Sequence, residues 1–277
     1  MFTKKNRKSN SKSNSKLKSK KSKTLKKLQL SNSIKILSYN ISWESMSGTV
    51  KNWSLCSNNT NPNNPKHNSV CVGNIVEAFE QDLDFITLQE STDFKKLIEL
   101  SSQLKKMKYE VHNSSLDVIT TLWKPKYKLL YTIKGEFEKG RPWMATVFNG
   151  GICLINVHFG HYNDNEEYRK MENMLFTIKE EIRKKEDKYS NKNKEKRYII
   201  SGDFNYDIKD FGDSNKIIKL NGTKFYYHPK HILTCCIKRR KHNDHIIDSM
   251  ARPIDISIPK VNYMASDHKP ILVELID

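Results

Sequence analysis

Tyr198 to Asn205 reads YIISGDFN, and this stretch decides the fold. Ile199 and Ile200 are apolar and β-branched, which predicts a buried strand over Arg197 to Ser201. Gly202 lets the backbone bend or approach a neighbour closely. Asp203 and Asn205 are two apart, so they project to the same side if the chain stays extended. A carboxylate and an amide aimed together from a buried strand end suit a metal-held phosphate and a water. Taken alone, the pattern equally fits a plain strand-to-turn Asp/Asn pair.

Four other apolar segments meet a polar group in the same way: IKILSYN ending at Asn40, DFITLQE ending at Glu90, ICLINVHFGH carrying His158, and ASDHKPILVEL opening with Asp267 and His268. Open α/β sheets collect ligands at their strand ends. Glu90 is a natural oxygen ligand for Mg²⁺, with the Asn40 carbonyl beside it. Asn156 lies two residues before His158, on the same face of its strand. A carboxylate such as Asp267 can fix a histidine's tautomer and raise its basicity, which suits acid/base work or a protonated contact with phosphate. Neighbours on a strand point apart, so Asp267 orients either His268 or another histidine, for which His158 is the candidate. The set supplies what is needed to hold a hard divalent cation and activate a water, which points to metal-assisted phosphoester hydrolysis.

The rest of the body alternates strand and helix. Strands are expected at 34–39, 85–88, 108–112, 116–123, 127–133, 143–148, 152–158, 232–237, near 245–247 and at 271–275. Asn149-Gly150-Gly151 reads as a tight hairpin turn. Helices are expected at 74–82 and 94–104, and Tyr168, Met171, Leu175, Ile178 and Ile182 form the apolar stripe of a long helix. Residues 42–69 read as a long polar insertion and 206–230 as helix and loop of weak signal.

The order SYN (Asn40), LQE (Glu90), NVH (Asn156, His158), GDFN (Asp203, Asn205) and SDHKP (Asp267, His268) resembles the endonuclease/exonuclease/phosphatase superfamily, the deoxyribonuclease-I-like fold, from about Ile34 to Leu275. The resemblance implies a four-layered α/β sandwich of two mixed β-sheets flanked by helices. It implies phosphoester cleavage with one or two divalent ions, normally Mg²⁺, with Mn²⁺ the alternative. Carried over, Glu90 and Asn40 bind metal, Asp203 positions or activates water, and Asn205 holds the phosphate. His268 stabilises the scissile phosphate, Asp267 contributes metal binding or orientation, and His158 is a second phosphate contact. NDHIID makes Asp244 the support of a histidine, or a surface Asp. Asn156 and Arg141 (in GRPW) are substrate-contact candidates, Arg141 as a bidentate phosphate ligand or, alternatively, an exposed hairpin residue. Trp143 is a base-stacking residue or, slightly favoured, a core one. Tyr109 is a weak candidate for a catalytic tyrosine. ISWESMSG and the long insertion depart from the family members that act on abasic DNA.

The chain has 277 residues and a net charge of +18. Residues 1–29 hold 12 of the 49 Lys and Arg and no acid, which leaves a net +6 on the remainder. Residues 1–30 are expected to form a disordered basic tail and 31–277 a single domain. The tail is a solubilising segment, a nuclear-localisation signal within Lys18 to Lys27, or a nonspecific nucleic-acid arm. No apolar run reaches the roughly 18 residues of a membrane span, and no secretory signal is present. Cys56, Cys71, Cys153, Cys235 and Cys236 match no zinc spacing and suggest reduced thiols in an intracellular protein, with Cys235-Cys236 part of a buried strand.

Three functions follow. The first is a Mg²⁺-dependent nuclease (endonuclease or exonuclease) on DNA or RNA. The second is a phosphatase or phosphodiesterase with the same site, acting on a phosphorylated small molecule or lipid head group such as a phosphoinositide, sphingomyelin or a nucleotide-type substrate. The third, of another class, is a noncatalytic nucleic-acid-binding protein working through its tail.

Overall fold

The computed structural model describes residues 33–47, 67–161, 164–189, 195–210, 212–235, 241–251, 253–260 and 266–276. Ile34–Leu275 is one compact unit. The expected tail, its localisation signal, Cys56, Cys236 and most of the 42–69 insertion lie outside the described residues.

Thirteen strands among the described residues form two sheets. The first has the order β12 (Asp255–Ser257), β13 (Ile271–Ile276), β1 (Ser33–Asn40), β2 (Phe85–Gln89), β4 (Val118–Trp123), β3 (Lys108–Asn113). The second runs β5 (Leu129–Glu138), β6 (Arg141–Phe148), β7 (Ile152–His158), β8 (Arg197–Asp203), β11 (Asp244–Asp248), β10 (Thr223–Tyr226), β9 (Ile217–Leu220). Both sheets are mixed: β1 with β2 and β7 with β8 are parallel, while pairs such as β5 with β6 are antiparallel. Four α-helices are found among the described residues, α1 (Trp43–Ser47), α2 (His67–Glu77), α3 (Lys95–Leu100) and α4 (Asp164–Tyr189), with two short 3₁₀ turns at Leu104–Lys106 and Ile208–Asp210.

Packing defines four layers. Ile75, Phe79 and Leu97 cluster with Leu37, Tyr39 and Ile86 on one side of the first sheet. Met171, Leu175, Ile178 and Ile182 of α4 cluster with Ile155, Val157 and Ile200 on the outer side of the second. Ile36, Phe85, Leu154, Ile199, Ile246 and Val273 meet between the sheets. This is the expected four-layered sandwich.

The two-residue period of a strand then does something specific. On β1 the inner stripe is Ile34, Ile36, Ser38, Asn40; on β2 it is Phe85, Thr87, Gln89; on β7, Leu154, Asn156, His158; on β8, Ile199, Ser201, Asp203. Each stripe is apolar at the strand's start and polar at its end. Antiparallel β11 reverses the order, with Ile246 followed inward to Asp244 opposite Asp203. The sandwich is therefore dry at one end and lined with polar groups at the other. Buried side-chain bonds join the sheets between these ends: Thr87 to Ser201 at 2.7 Å and Gln89 Nε2 to Asn156 Oδ1 at 2.8 Å.

Gly202 is required by close approach. A Cβ there would stand 2.0 Å from the Val157 carbonyl oxygen of the parallel neighbour β7, at a φ of +153°. Gly202→Ala is expected to destabilise by more than about 2 kcal/mol, combining overpacking with backbone strain, as read by urea denaturation.

Several expectations are corrected. Residues 206–230 contain the β9–β10 hairpin and a short 3₁₀ turn at Ile208–Asp210, where weak apolar patterning gave no strand signal. Residues 231–234 form no strand; Cys235 makes only isolated bridges, to Lys241 and His268, because Thr234 spends its backbone and hydroxyl on the turn into β11. The second helix begins at His67, inside the expected insertion, and β12 went unread because it is only Asp255–Ser257. Cys71 and Cys235 are each engaged in a disulfide, against the expectation of reduced thiols, whereas Cys153 is a free thiol buried on β7. Among the described residues, no helix is long and apolar enough to cross a membrane.

Candidate active site

Asp203 lies at the centre of the polar end. Its Oδ1 accepts the Asn205 backbone N–H at 2.8 Å, and its Oδ2 accepts the Asn40 Nδ2 at 3.0 Å. The same Oδ2 stands 3.5 Å from His268 Nε2 and 3.6 Å from His158 Nε2. Each imidazole is backed by a carboxylate on its other nitrogen: His268 Nδ1 by Asp244 Oδ2 at 2.9 Å, and His158 Nδ1 by Asp117 Oδ2 at 2.6 Å. Burial alone would raise the Asp203 pKa, but His268 and His158 hold it below its ordinary value, so the group is a carboxylate at neutral pH.

Against burial, which lowers a histidine, Asp244 and Asp203 push the His268 pKa up to about 10, and Asp117 and Asp203 likewise raise that of His158. A folded pKa above the unfolded value of 6.5 stabilises the protein fully below about pH 6.5, and that contribution fades as pH rises through about 10. An NMR titration is expected to find the His268 ring protonated well above neutrality, and Asp244→Asn is expected to bring its titration down toward neutrality.

Glu90 terminates β2 with φ +53°, a left-handed turn that swings its carboxylate back toward β1. Its Oε1 accepts Asn40 Nδ2 at 3.1 Å and its Oε2 accepts the Trp43 N–H at 3.1 Å. Burial raises the Glu90 pKa. Asn40 thus bridges Glu90 and Asp203 through one NH₂ group, while its Oδ1 takes the Ser42 N–H at 3.1 Å. Asn40 presents its amide nitrogen, not its carbonyl, to the carboxylates. Ser266 of SDHKP locks the turn in place, its hydroxyl donating to the Asn40 carbonyl at 2.8 Å and accepting the His268 N–H at 3.0 Å.

The donor chemistry fits a hard divalent ion. Glu90 and Asp203 are both oxygen donors, are tied to a common amide, and sit where burial disfavours their negative charge, which a cation would offset. Asp203, Asp244 and His268 also bring one potential ligand atom each within 4.8 Å of one another.

Other expected residues fall differently. Asp267 groups with His268 and Cys235, and since Cys235 is disulfide-bonded that trio is no metal cage. Asp117, not Asp267, orients His158. Asp117 precedes the apolar strand VITTLW, and the expectation missed it because it opens a strand and does not end one. Asn156 is fully buried and spends its amide on Gln89 and on the carbonyls of Leu88 and Thr120, so it braces the two sheets and is corrected as a substrate contact. Asn205 adopts φ +58° as the strand breaks, so it does not continue the face of Asp203; its Nδ2 donates to the Phe159 carbonyl at 2.7 Å. Arg141 Nη1 lies 3.0 Å from His158 Nε2, a hydrogen bond only while that nitrogen is unprotonated; with His158 protonated, two cations face each other and an anion contacting both is favoured. Trp143 is a buried core residue against Gly135, and Tyr109 packs its ring on Phe94 at 5.0 Å.

Two stacked mixed sheets with this strand-end cluster define a class: the chain has the deoxyribonuclease-I-like fold of the endonuclease/exonuclease/phosphatase structures. A protein of that family from Bacteroides thetaiotaomicron superposes with a TM-score of 0.55 at 15% identity, over 88% of this chain and 95% of that one. The chain is also similar to ANGEL2, a 2′,3′-cyclic phosphatase (TM-score 0.59, 14% identity, 88% and 95% covered). Truncated TDP2 of Caenorhabditis elegans is comparable (0.56, 12%, 88% and 98%). No protein-family model matches the chain. Among curated proteins it is 30% identical over 259 residues to the uncharacterized protein L684 of Acanthamoeba polyphaga mimivirus, covering 86% of this chain and 49% of that protein. The chain thus spans about half the length of the curated relative it matches.

Proposed function

We propose that the protein is a divalent-metal-dependent phosphoesterase whose substrate is a phosphodiester of DNA or RNA, with Mg²⁺ as the ion and Mn²⁺ the alternative. The observation that carries this reading is Asp203, an ionised carboxylate with two carboxylate-backed histidines at 3.5 and 3.6 Å. Asp203 would take the proton of an attacking water. Protonated His268 and His158, with Arg141, would hold the phosphoryl oxygens as negative charge develops there. Asn205 carries two amide protons, one given to Phe159 and one to offer the phosphate. Glu90 and Asp203, steadied by Asn40, would hold the ion, which supplies polarisation of the phosphoryl group and neutralisation of the leaving oxygen.

The comparisons support phosphoester hydrolysis at the level of the class. Their named members include a 2′,3′-cyclic phosphatase and a mannosyl-6-phosphatase, which keeps a phosphorylated small molecule or lipid head group as the second reading. The Lys-rich residues 1–29 favour nucleic acid: they would track a phosphate backbone, with affinity falling steeply as salt rises. They also fit a nuclear-localisation signal within Lys18 to Lys27.

Chelator-stripped protein, reloaded with Mg²⁺ or Mn²⁺, tests this against DNA, RNA, a 2′,3′-cyclic nucleotide, a phosphoinositide and sphingomyelin. Nucleic acid is expected to be cleaved only with metal. Preference for a lipid or a small phosphate ester overturns the substrate; metal-independent turnover overturns the chemistry. Deleting residues 1–29 is expected to spare turnover of a small phosphodiester, whereas nucleic-acid binding without any turnover supports the noncatalytic alternative.

A further inference from the structure

Beyond the catalytic pocket, the turn after Asp203 meets the segment that leads into β11, and three metal-ligating side chains converge there. Asp207 Oδ2 stands 3.0 Å from His231 Nε2, and Asp207 Oδ1 stands 3.6 Å from His242 Nδ1. One ligand atom from each of the three residues lies within 4.8 Å of the others. Bonds of about 2.0–2.1 Å around a tetrahedral ion place its ligand atoms roughly 3.3 Å apart, and each histidine stands near that distance from one of the two Asp207 oxygens.

His242 is the observation that points to a ligand. Its side chain is 7% exposed, and neither ring nitrogen has a hydrogen-bond partner. A buried imidazole with both nitrogens unsatisfied carries the desolvation cost of a lost polar contact. His245 lies outside the group, and its Nε2 is taken up by the backbone, 3.0 Å from the carbonyls of Tyr206 and His242 and 3.2 Å from the Ile208 amide. His231 closes the cluster from the solvent side, with its side chain 45% exposed, which leaves the ion a route in. Lys209 pairs with Asp207 at 2.6 Å but is itself 53% exposed, so it can swing into water when a cation arrives.

We propose that Asp207, His231 and His242 form a second metal site, for a transition ion of the Zn²⁺ class, with a water in the fourth position. Two imidazoles and one carboxylate suit Zn²⁺, Co²⁺ or Ni²⁺ and not Mg²⁺, which the all-oxygen pair Glu90 and Asp203 fits. The site shares no ligand with that pair. It would clamp the 3₁₀ turn at Ile208–Asp210 to a stretch with no helix or strand between Tyr227 and Thr234, and His242 lies two residues before Asp244, the partner of His268. The ion's role is therefore to fix the approach to β11.

Titration of the full-length, chelator-treated protein with Co²⁺, followed by visible absorption, tests the assignment. One equivalent is expected to give the intense d–d bands of a low-symmetry four- or five-coordinate ion, bleached by Zn²⁺ and indifferent to excess Mg²⁺. His231→Ala, at a half-exposed position, is expected to weaken Co²⁺ binding by at least about 10- to 100-fold while leaving the denaturation midpoint of the metal-free protein within a few degrees; His242→Ala is expected to weaken binding likewise. Asp203→Asn is expected to keep the bands at full strength. Absence of the bands from the unmodified protein, their full retention in His231→Ala, or their loss in Asp203→Asn overturns the proposal.

Discussion

Asp203→Asn is expected to lower phosphoester turnover by at least about 100- to 10,000-fold, the range set by removal of a general base. The side chain keeps its shape, so its Oδ1 can still accept the Asn205 amide and the site's outline should survive. What disappears is the negative charge that draws the His158 and His268 rings toward one point. The protonated state of both rings should weaken with it, so the substitution removes the base and lowers the positive charge facing the phosphate in one step. Single-turnover kinetics with saturating metal read the effect on chemistry apart from binding. Circular dichroism and a denaturation midpoint check that the fold remains. Turnover within a few-fold of the unmodified protein would remove Asp203 from the mechanism.

The largest effect on stability is expected at the opposite end of the same strand pair. Arg197 opens β8 and Asp248 closes β11, and their side chains join at 3.0 and 2.7 Å in a buried, two-pronged ion pair. Asp248 also accepts the backbone amides of Met250 and Ala251, which shape the turn beyond the strand. Arg197→Met is expected to cost about 3–5 kcal/mol, because it strands a buried carboxylate without its counter-charge. Pairing it with Asp248→Leu should recover much of the loss, since a hydrophobic replacement of both partners can be close to neutral. Urea denaturation of the single and double variants measures this. A loss under about 1 kcal/mol in the single variant would mean that water reaches the pair and screens it.

Legibility in the sequence followed the local physics. β1, β2, β7 and β8 could be read because each carries a short cluster of apolar, largely β-branched residues, and the α4 stripe because its spacing is helical. The short hairpin of β9 and β10 could not, since its apolar residues are few and its neighbours are found only on folding. At the site, the polar residues closing apolar strands were visible as types. Asn156 shows the limit of that reasoning: it sits on the same face as His158, yet one step deeper, where the gap between sheets is closed and its amide has no route to substrate. Asp117 shows the converse, a partner of His158 that is 41 residues distant in the chain and has no motif of its own.

The sequence by itself determined the two-residue periodicity of the strands, the polar group at the end of each, and the glycine at 202 that lets β8 lie against β7. Those are local properties, set by side-chain type and backbone freedom. Tertiary structure alone decided which carboxylate stands behind which histidine, that the Asn40 amide nitrogen holds Glu90 and Asp203 together, and that Asp207, His231 and His242 meet. Hydrogen bonds and charge pairs act over a few ångströms, and residues tens or hundreds of positions apart come within that range only when two sheets stack and their polar ends coincide.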